Sequence, residues 1–454
     1  MPFNSVEYFV FLWAAVLAFY AAPEAYRRPF LLVFCYAFYS FWSPFFALFL
    51  LAATAAAYWG ARRLYSATAL AFLLGAFVFF KGLPLWRQPF GFLSHVAVPV
   101  GFSYYTFRLL SYVIDVRRGT IEPEKDFVRF ACYAAFFPHL LSGPIQRAEE
   151  FFPQTQHLGC ENPELWASGL RLILCGLFKK LVIADTLAPA VDNVFGHPAA
   201  YNATALWVAA YAFYLQLYCD FSGLTDIAIG SGRLFGIDAP PNFNAPYLAK
   251  NIQDFWRRWH MTLCRWISDY LFTPLLVKLR NWGNAGLVFS LFVSMLAISL
   301  WHGLSSGFIA FGLIQGTLIS FSVWSLKARN RFFKKREYLG GFRNFAGPLV
   351  TFHLLVFSFV FFKCATFREG MRFIARLFQG PFQFGGLGMG IGEIGLAACL
   401  LGLIAAEWFE RAAEGPAAFT RRPAALRWSV YYAGVAGILL FGHFWPKEFI
   451  YFKF

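Results

Sequence analysis

Charge is what this chain has least of. Only 14% of its 454 residues are Asp, Glu, Lys or Arg, against about 25% in an ordinary soluble domain. Acidic side chains are the scarcer sign, 24 against 39 basic ones, which leaves a formal net charge of +15. The eight cysteines (Cys35, Cys132, Cys160, Cys175, Cys219, Cys264, Cys364, Cys399) include no CxxC pair and lie mostly in apolar runs. They read as small buried hydrophobes rather than as a disulfide framework or a metal site. There is no GxSxG, no HExxH, no Walker loop and no ligand cluster with metal spacing, so no metal is expected. What is abundant is apolar surface: 59% of residues are hydrophobic, 21% aromatic, and Phe alone occurs 59 times. Mean hydropathy is +0.53. A soluble fold of this size would expose too much of that surface, and a disordered chain would not carry it. Collagen, coiled-coil arrays and small disulfide scaffolds fail on composition as well. The chain reads as an all-α polytopic membrane protein, multi-pass in a membrane. Its basic excess sits in short stretches between apolar runs, where it sets topology, and no nucleic-acid partner is expected.

About 20 apolar residues cross a bilayer as a helix. Apolar runs lie near 6–22, 29–60, 67–80, 94–114, 128–145, 166–184, 203–232, 286–301, 306–326, 346–363, 389–408 and 427–445. They amount to about 11 to 13 full or half membrane segments in one domain, 1–454, with a chemically active middle over about 95–326 and C-terminal spans and tail over about 346–454. Phe9 to Ala22 ends in Pro23-Glu24 without a small-residue cleavage site, so it reads as a first span or signal anchor rather than a cleaved leader. Pro99, Pro138, Pro144 and Pro348 interrupt or border runs, as in helices that line a cavity or are buried in protein. The densest basic stretches, Lys327 to Arg336 and Arg411 to Arg427, are expected in the cytoplasm, which puts the tail Phe449-Ile-Tyr-Phe-Lys-Phe454 outside.

Polar residues concentrate between Asp220 and Leu276, and ionisable groups at membrane depth usually face an interior cavity. Among eight histidines two stand out. His302 follows the apolar run 288–300 in Trp301-His302-Gly303, with glycine allowing close backbone approach. An imidazole titrates near neutrality and desolvation favours its neutral form, which suits a general base. An interfacial histidine bonded to a carbonyl is the plain alternative. His260 lies in Asp254-Phe-Trp-Arg-Arg-Trp-His260. Read as a helix, that segment places Arg257, His260, Cys264 and Ser268 on one face. Arg257 and Arg258 have Asp254 at pairing distance. They suit either phosphate binding or headgroup anchoring. His139, His353 and His443 lie in apolar surroundings and read as structural. Asp185, Asp220 and Asp226 border apolar runs and would serve a transporter as well as an enzyme.

Taken in order, several motifs resemble one family. They are Pro99-Val-Gly-Phe-Ser-Tyr-Tyr-Thr-Phe107, Ser111-Tyr-Val-Ile-Asp115, Phe137-Pro-His-Leu-Leu-Ser-Gly-Pro-Ile145 and Gly176-Leu-Phe-Lys-Lys180. Asp220-Phe-Ser-Gly223, Asn242-Phe-Asn-Ala-Pro-Tyr247, Asp254 to His260 and Leu300-Trp-His-Gly303 follow. This order is similar to the membrane-bound O-acyltransferases (MBOAT), in particular the bacterial branch that O-acetylates alginate and other exopolysaccharides. The likeness runs from about residue 5 to the end, with Cys219 standing where an aromatic is commoner.

The resemblance implies a ring of helices around a central tunnel in a bacterial cytoplasmic (inner) membrane. It implies His302 as catalytic histidine and His260 as a second required one. No bound cofactor is implied; the acyl donor is a cytoplasmic thioester, acetyl-CoA or an acyl carrier. The acyl group would cross to a periplasmic SGNH-like acetyltransferase partner, which acylates a polysaccharide, with Tyr451 of the tail carrying it outside. Substrate contacts are expected from Asp220, Ser222, Asn244, Lys250, Asp254, Arg257, Arg258 and Trp301, with the cation cluster on the donor's phosphates and the indole excluding water. D-alanyl transfer to teichoic acid by the same fold, or a transporter without covalent chemistry, are the rival readings.

Overall fold

The computed structural model describes residues 1–62, 65–87, 89–159, 162–336, 338, 340–380, 382, 393–414 and 422–444. Among these, every regular element is helical. The first five helices are α1 (Val6–Ala21), α2 (Glu24–Ser40), α3 (Pro44–Gly60), α4 (Ser66–Trp86) and α5 (Phe102–Arg118). Short polar caps start two of them: the Ser5 hydroxyl accepts from the Tyr8 amide at 3.2 Å, and Ser43 from the Phe45 amide at 3.2 Å. A capping hydroxyl satisfies an amide that lipid could not. The turns after α1, α2 and α3 are short, so successive helices pack side by side in alternating direction.

The next stretch is broken. A single segment was expected over 128–145, but α6 (Phe127–Ala135) stops at Phe136, whose ψ of 101° leaves the helix, and α7 (Phe137–Leu140) starts anew. Pro138 has no N–H to continue the α6 ladder. The run 94–114 likewise becomes α-helical only at Phe102, after a short 3-10 turn, Gly91–His95, and Gly101 in the left-handed region (φ 70°). A side chain at Gly101 would meet the Leu140 carbonyl oxygen at 2.3 Å, so glycine lets α5 and α7 touch. After α8 (Ala148–Phe151), α9 (Pro163–Leu177) runs through a π-helical stretch, Phe178–Ala184, into α10 (Asp185–Gly196). The 31-residue α11 (Ala203–Arg233) follows.

Next come α12 (Ile252–Trp256), α13 (Met261–Ile267), α14 (Thr273–Lys278), α15 (Asn284–His302), α16 (Ser306–Trp324), α17 (Leu326–Lys334) and α18 (Gly340–Lys363). The last described helices are α19 (Phe367–Leu377), α20 (Glu393–Glu414) and α21 (Ala424–Phe441). Five described helical stretches are long and apolar enough to cross a membrane: 66–86, 284–302, 306–324, 344–363 and 424–441. Three shorter helices, 6–21, 44–60 and 395–409, are also apolar. The protein is a multi-pass, all-α membrane protein.

The chain packs into two units. The first holds the described residues of 1–182, 221–241 and 408–444. Within it α9 and α11 cross on glycines: a Cβ on Gly176 would lie 2.4 Å from the Gly223 carbonyl oxygen, and one on Gly230 2.4 Å from that of Gly169. The pairing 176 with 223 and 169 with 230 makes the crossing antiparallel, and small residues let the backbones meet. Beside it Lys179 and Asp226 form a buried ion pair at 2.8 Å. The helix ends carrying Arg27, Arg28, Arg62, Arg117 and Arg118 all belong to one end of the α1–α5 row. There Arg28 reaches Asp126 at 3.6 Å, and the Tyr58 hydroxyl donates to the Lys125 carbonyl at 2.5 Å.

The second unit holds the described residues of 183–220 and 242–407. Its frame is the antiparallel hairpin of α15 and α16. A Cβ on Gly312 would lie 2.9 Å from Ser299 Cβ, and one on Gly316 2.8 Å from the Phe292 ring. Helix α18 packs along α16. The hairpin turn, 303–305, fixes the place of the site.

Candidate active site

The site grows from a loop-and-helix segment that hydrogen bonds hold open. Asn251 caps α12, its side chain accepting from the Asp254 amide at 2.9 Å. One oxygen of Asp254 accepts from the Lys250 amide at 2.9 Å, and the other takes the Arg258 guanidinium at 2.8 Å. Arg258 also donates to the Asn244 carbonyl at 3.2 Å, and the Asn244 amide returns a bond to the Arg258 carbonyl at 3.0 Å. Three residues on, the Met261 amide donates to the Asn242 carbonyl at 2.9 Å, and the Thr262 hydroxyl donates to the Asn242 side chain at 2.6 Å.

Pinned on both sides, His260 adopts the left-handed conformation, φ 42° and ψ 53°. A non-glycine residue there costs roughly 1–2 kcal/mol. The continuous helix expected through 257–268 is therefore interrupted: α12 ends at Trp256, α13 starts at Met261, and Arg257, His260, Cys264 and Ser268 do not share a helical face. The strained turn aims His260 inward, where it is 1% exposed. Outside the spanning helices, burial pushes its imidazole down to about 3, so it is neutral at physiological pH.

His302 is the last residue of α15 and is buried. Trp301 contacts both imidazoles, with ring centres 5.6 Å from His260 and 4.6 Å from His302. Phe308 of α16 stacks on His302 at 6.0 Å and Phe362 of α18 meets it edge-on at 4.8 Å. Gly303 is extended, and a Cβ there would come within 2.9 Å of the Phe308 ring, so the turn has room only for glycine beside His302. The Ser305 side chain caps α16 by accepting from the Phe308 amide at 3.3 Å. The result is an aromatic cage that holds His302 away from water.

Sequence reading located these histidines and Trp301, and the structure brings the three together. It missed Phe308, Phe362 and Gln315. Buried Gln315 accepts from the Trp256 indole at 3.1 Å and donates to the Ser358 hydroxyl at 2.8 Å, tying α12, α16 and α18. A lone amide inside the apolar run of α16 was the available signal. Asp220 and Ser222 are buried within α11, while Asn244, Lys250 and Arg257 are exposed. Arg258 and Asp254 brace the loop through each other. Tyr451 and the rest of the 449–454 tail lie outside the described residues. His139, read as structural, is buried with its Nδ1 3.3 Å from the Arg108 guanidinium, and the His353 ring bonds the Leu349 carbonyl at 2.7 Å.

An imidazole held in such an aromatic cage has the chemistry to take a proton from a hydroxyl as that hydroxyl attacks a carbonyl. Comparison with known proteins agrees with such chemistry. The family model for membrane-bound O-acyltransferases matches residues 124–362, which include both histidines. A "probable alginate O-acetylase" of Pseudomonas aeruginosa is 33% identical over 417 residues, covering 85% of this chain and 75% of that protein. A peptidoglycan O-acetyltransferase of Helicobacter pylori is 31% identical, covering 72% of this chain and 63% of its own. A teichoic acid D-alanyltransferase of Bacillus subtilis is 29% identical, covering 60% and 70%. With the family's model spanning both histidines and a third of the residues shared along most of a full-length relative, the chain belongs to the membrane-bound O-acyltransferase family and is an acyltransferase.

Proposed function

We propose that the protein moves an acyl group, acetyl, from a cytoplasmic thioester across a bacterial cytoplasmic membrane for O-acetylation of an extracytoplasmic polysaccharide such as alginate. The observation that carries this reading is the pair of buried histidines on Trp301, since a transporter has no need of a caged general base. The relatives acting on alginate, peptidoglycan and teichoic acid support a polymer as the final acceptor. The basic helix ends support the direction. The Lys327 to Arg336 stretch follows the C-terminal end of α16, so under the positive-inside tendency that end faces the cytoplasm and the His302 turn the opposite side.

In the proposed step a phenol, that of Tyr451, attacks the thioester carbonyl carbon. His302 takes the phenolic proton, the C–S bond breaks, and the departing thiolate recovers the proton from the imidazolium. The acyl-tyrosine ester then passes its acyl group to a serine of a periplasmic SGNH-like partner. Asp220, Ser222 and Asn244 contact the substrate, and Arg257 and Arg258 hold the donor's phosphates, with Asp254 orienting Arg258.

The test is reconstitution of the purified protein in proteoliposomes with acetyl-CoA labelled in the acetyl group, followed by mass spectrometry of the intact chain. An added acetyl at Tyr451, lost in His302→Ala and in Tyr451→Phe, is the expected result. Full acetyl transfer by a folded His302→Ala variant overturns the chemistry; transfer only from a D-alanyl carrier protein assigns the rival donor.

A further inference from the structure

Away from the histidines, the second unit has a cleft of about 560 Å³ where the C-terminal end of α16, the start of α17 and the first turns of α18 meet α12. Its polar end holds Lys250, Arg329 and Asn344, and no acidic side chain is among its described lining residues. Arg329 reaches back over the last turn of α16, donating to the Ser322 carbonyl at 2.8 Å and to the Ser322 hydroxyl at 3.4 Å. Its buried Nε has no hydrogen-bond partner among the described residues. Gly347 brings the Lys250 backbone against α18, where a Cβ would lie 3.0 Å from the Lys250 carbonyl oxygen. The other end of the cleft is apolar, and Phe321, Val350 and Leu354 there are all exposed. Those three sit on spanning helices, so the surface they expose faces hydrocarbon. Arg329 lies just beyond the end of α16, at headgroup level.

We propose that this cleft holds an anionic phospholipid of the adjoining leaflet, its phosphate on Arg329 and Lys250 and one acyl chain between Phe321, Val350 and Leu354. A basic cup between membrane helices that opens onto an apolar groove matches such a lipid in charge and in shape. The thioester donor also carries phosphates, but the groove opens sideways onto lipid-facing surface. Along α16 it lies about 24 Å from the His302 turn, taking 1.5 Å per residue from Ser322 back to Ser306. The inference does not depend on the acyl-transfer reading.

Native mass spectrometry of the full-length protein in mild detergent, titrated with phosphatidylglycerol or phosphatidylcholine, tests it. One phosphatidylglycerol is expected to be retained in preference to phosphatidylcholine. Arg329→Glu is expected to weaken retention about tenfold or more, and Arg329→Lys to keep most of it. Val350→Trp, which fills the groove without altering charge, is expected to reduce retention as well and serves should the charge reversal fail to fold. Equal retention of the two lipids, or unchanged retention in both Arg329→Glu and Val350→Trp, overturns the proposal. Displacement of the bound lipid by millimolar acetyl-CoA or inorganic phosphate overturns it too, and assigns the cup to the donor or to a free anion.

Discussion

The indole of Trp301 lies edge-on to the imidazole of His260, 5.6 Å between ring centres, and this contact joins the strained loop to the end of α15. Because the same indole packs on His302 at 4.6 Å, it fixes one imidazole relative to the other. Trp301→Ala is expected to cost about 3–5 kcal/mol of stability by cavity formation. It is also expected to raise donor hydrolysis relative to transfer, since water gains access to the cage. Trp301→Phe keeps an apolar ring and should retain most of the transfer. Thermal unfolding in detergent and the ratio of free acetate to acetylated product measure the two effects; an unchanged ratio in Trp301→Ala would remove the shielding role.

His260 permits a substitution that separates chemistry from backbone. Asparagine tolerates the left-handed region better than other non-glycine residues, so His260→Asn should fold like the parent while losing transfer by about 100-fold if the imidazole is required. His260→Val combines the loss with backbone strain and should melt lower. The pH dependence has a definite sign. With the native imidazole held down at about 3 and an unfolded histidine near 6.5, the unfolded chain binds a proton that the native one refuses. Stability therefore falls as pH drops through 6.5 toward 3, by up to about 1.4 kcal/mol per pH unit from this group. Melting curves of the parent between pH 7 and 5 should fall more steeply than those of His260→Asn. Parallel curves would mean that His260 is not buried neutral.

Much of this was legible in sequence because apolar length and glycine spacing are strong signals in a membrane chain. The runs 203–232, 286–301 and 306–326 fall almost residue for residue on α11, α15 and α16, since lipid leaves a backbone few options besides the helix. The loop carrying His260 was not legible. Its geometry comes from Asn242 and Asn244 bonding across to Met261 and Arg258, contacts made between distant positions, which override the local helical pattern of Trp256 to Ile267. The aromatic cage was hidden for a different reason: with 59 phenylalanines in the chain, nothing local distinguishes Phe308 or Phe362 from the rest.

The crossing of α9 and α11 is expected to be intolerant of any side chain. At Gly176 even a methyl would stand 2.4 Å from a backbone carbonyl oxygen, and backbone cannot swing aside as a flexible side chain can. Gly176→Ala should lower stability by about 1–3 kcal/mol and Gly176→Leu should abolish the folded peak. Gly75, with nothing near its Cβ position, is the matched control, and Gly75→Ala should be neutral or slightly stabilising in its helix. Fluorescence-detected size exclusion after a temperature ramp reads both; equal melting of Gly176→Ala and Gly75→Ala would show that the helices do not meet on glycine.

Lys179 and Asp226 test how the same crossing accommodates charge. Lys179 is fully buried and Asp226 nearly so, with 2.8 Å between ammonium and carboxylate. Desolvating two ions offsets much of their attraction, so the pair itself adds little net stability, but either ion alone is costly. Lys179→Met or Asp226→Leu is accordingly expected to destabilise by about 3–5 kcal/mol, whereas Lys179→Met with Asp226→Leu should recover a large part of that loss. Lys179 sits in the π-helical stretch Phe178–Ala184, whose wider turn displaces side chains from α-helical register. A double variant that melts like the parent yet has lost acyl transfer would show that the charges serve function rather than folding. One that melts no better than the sum of the single losses would show that each ion is held chiefly by partners other than the other.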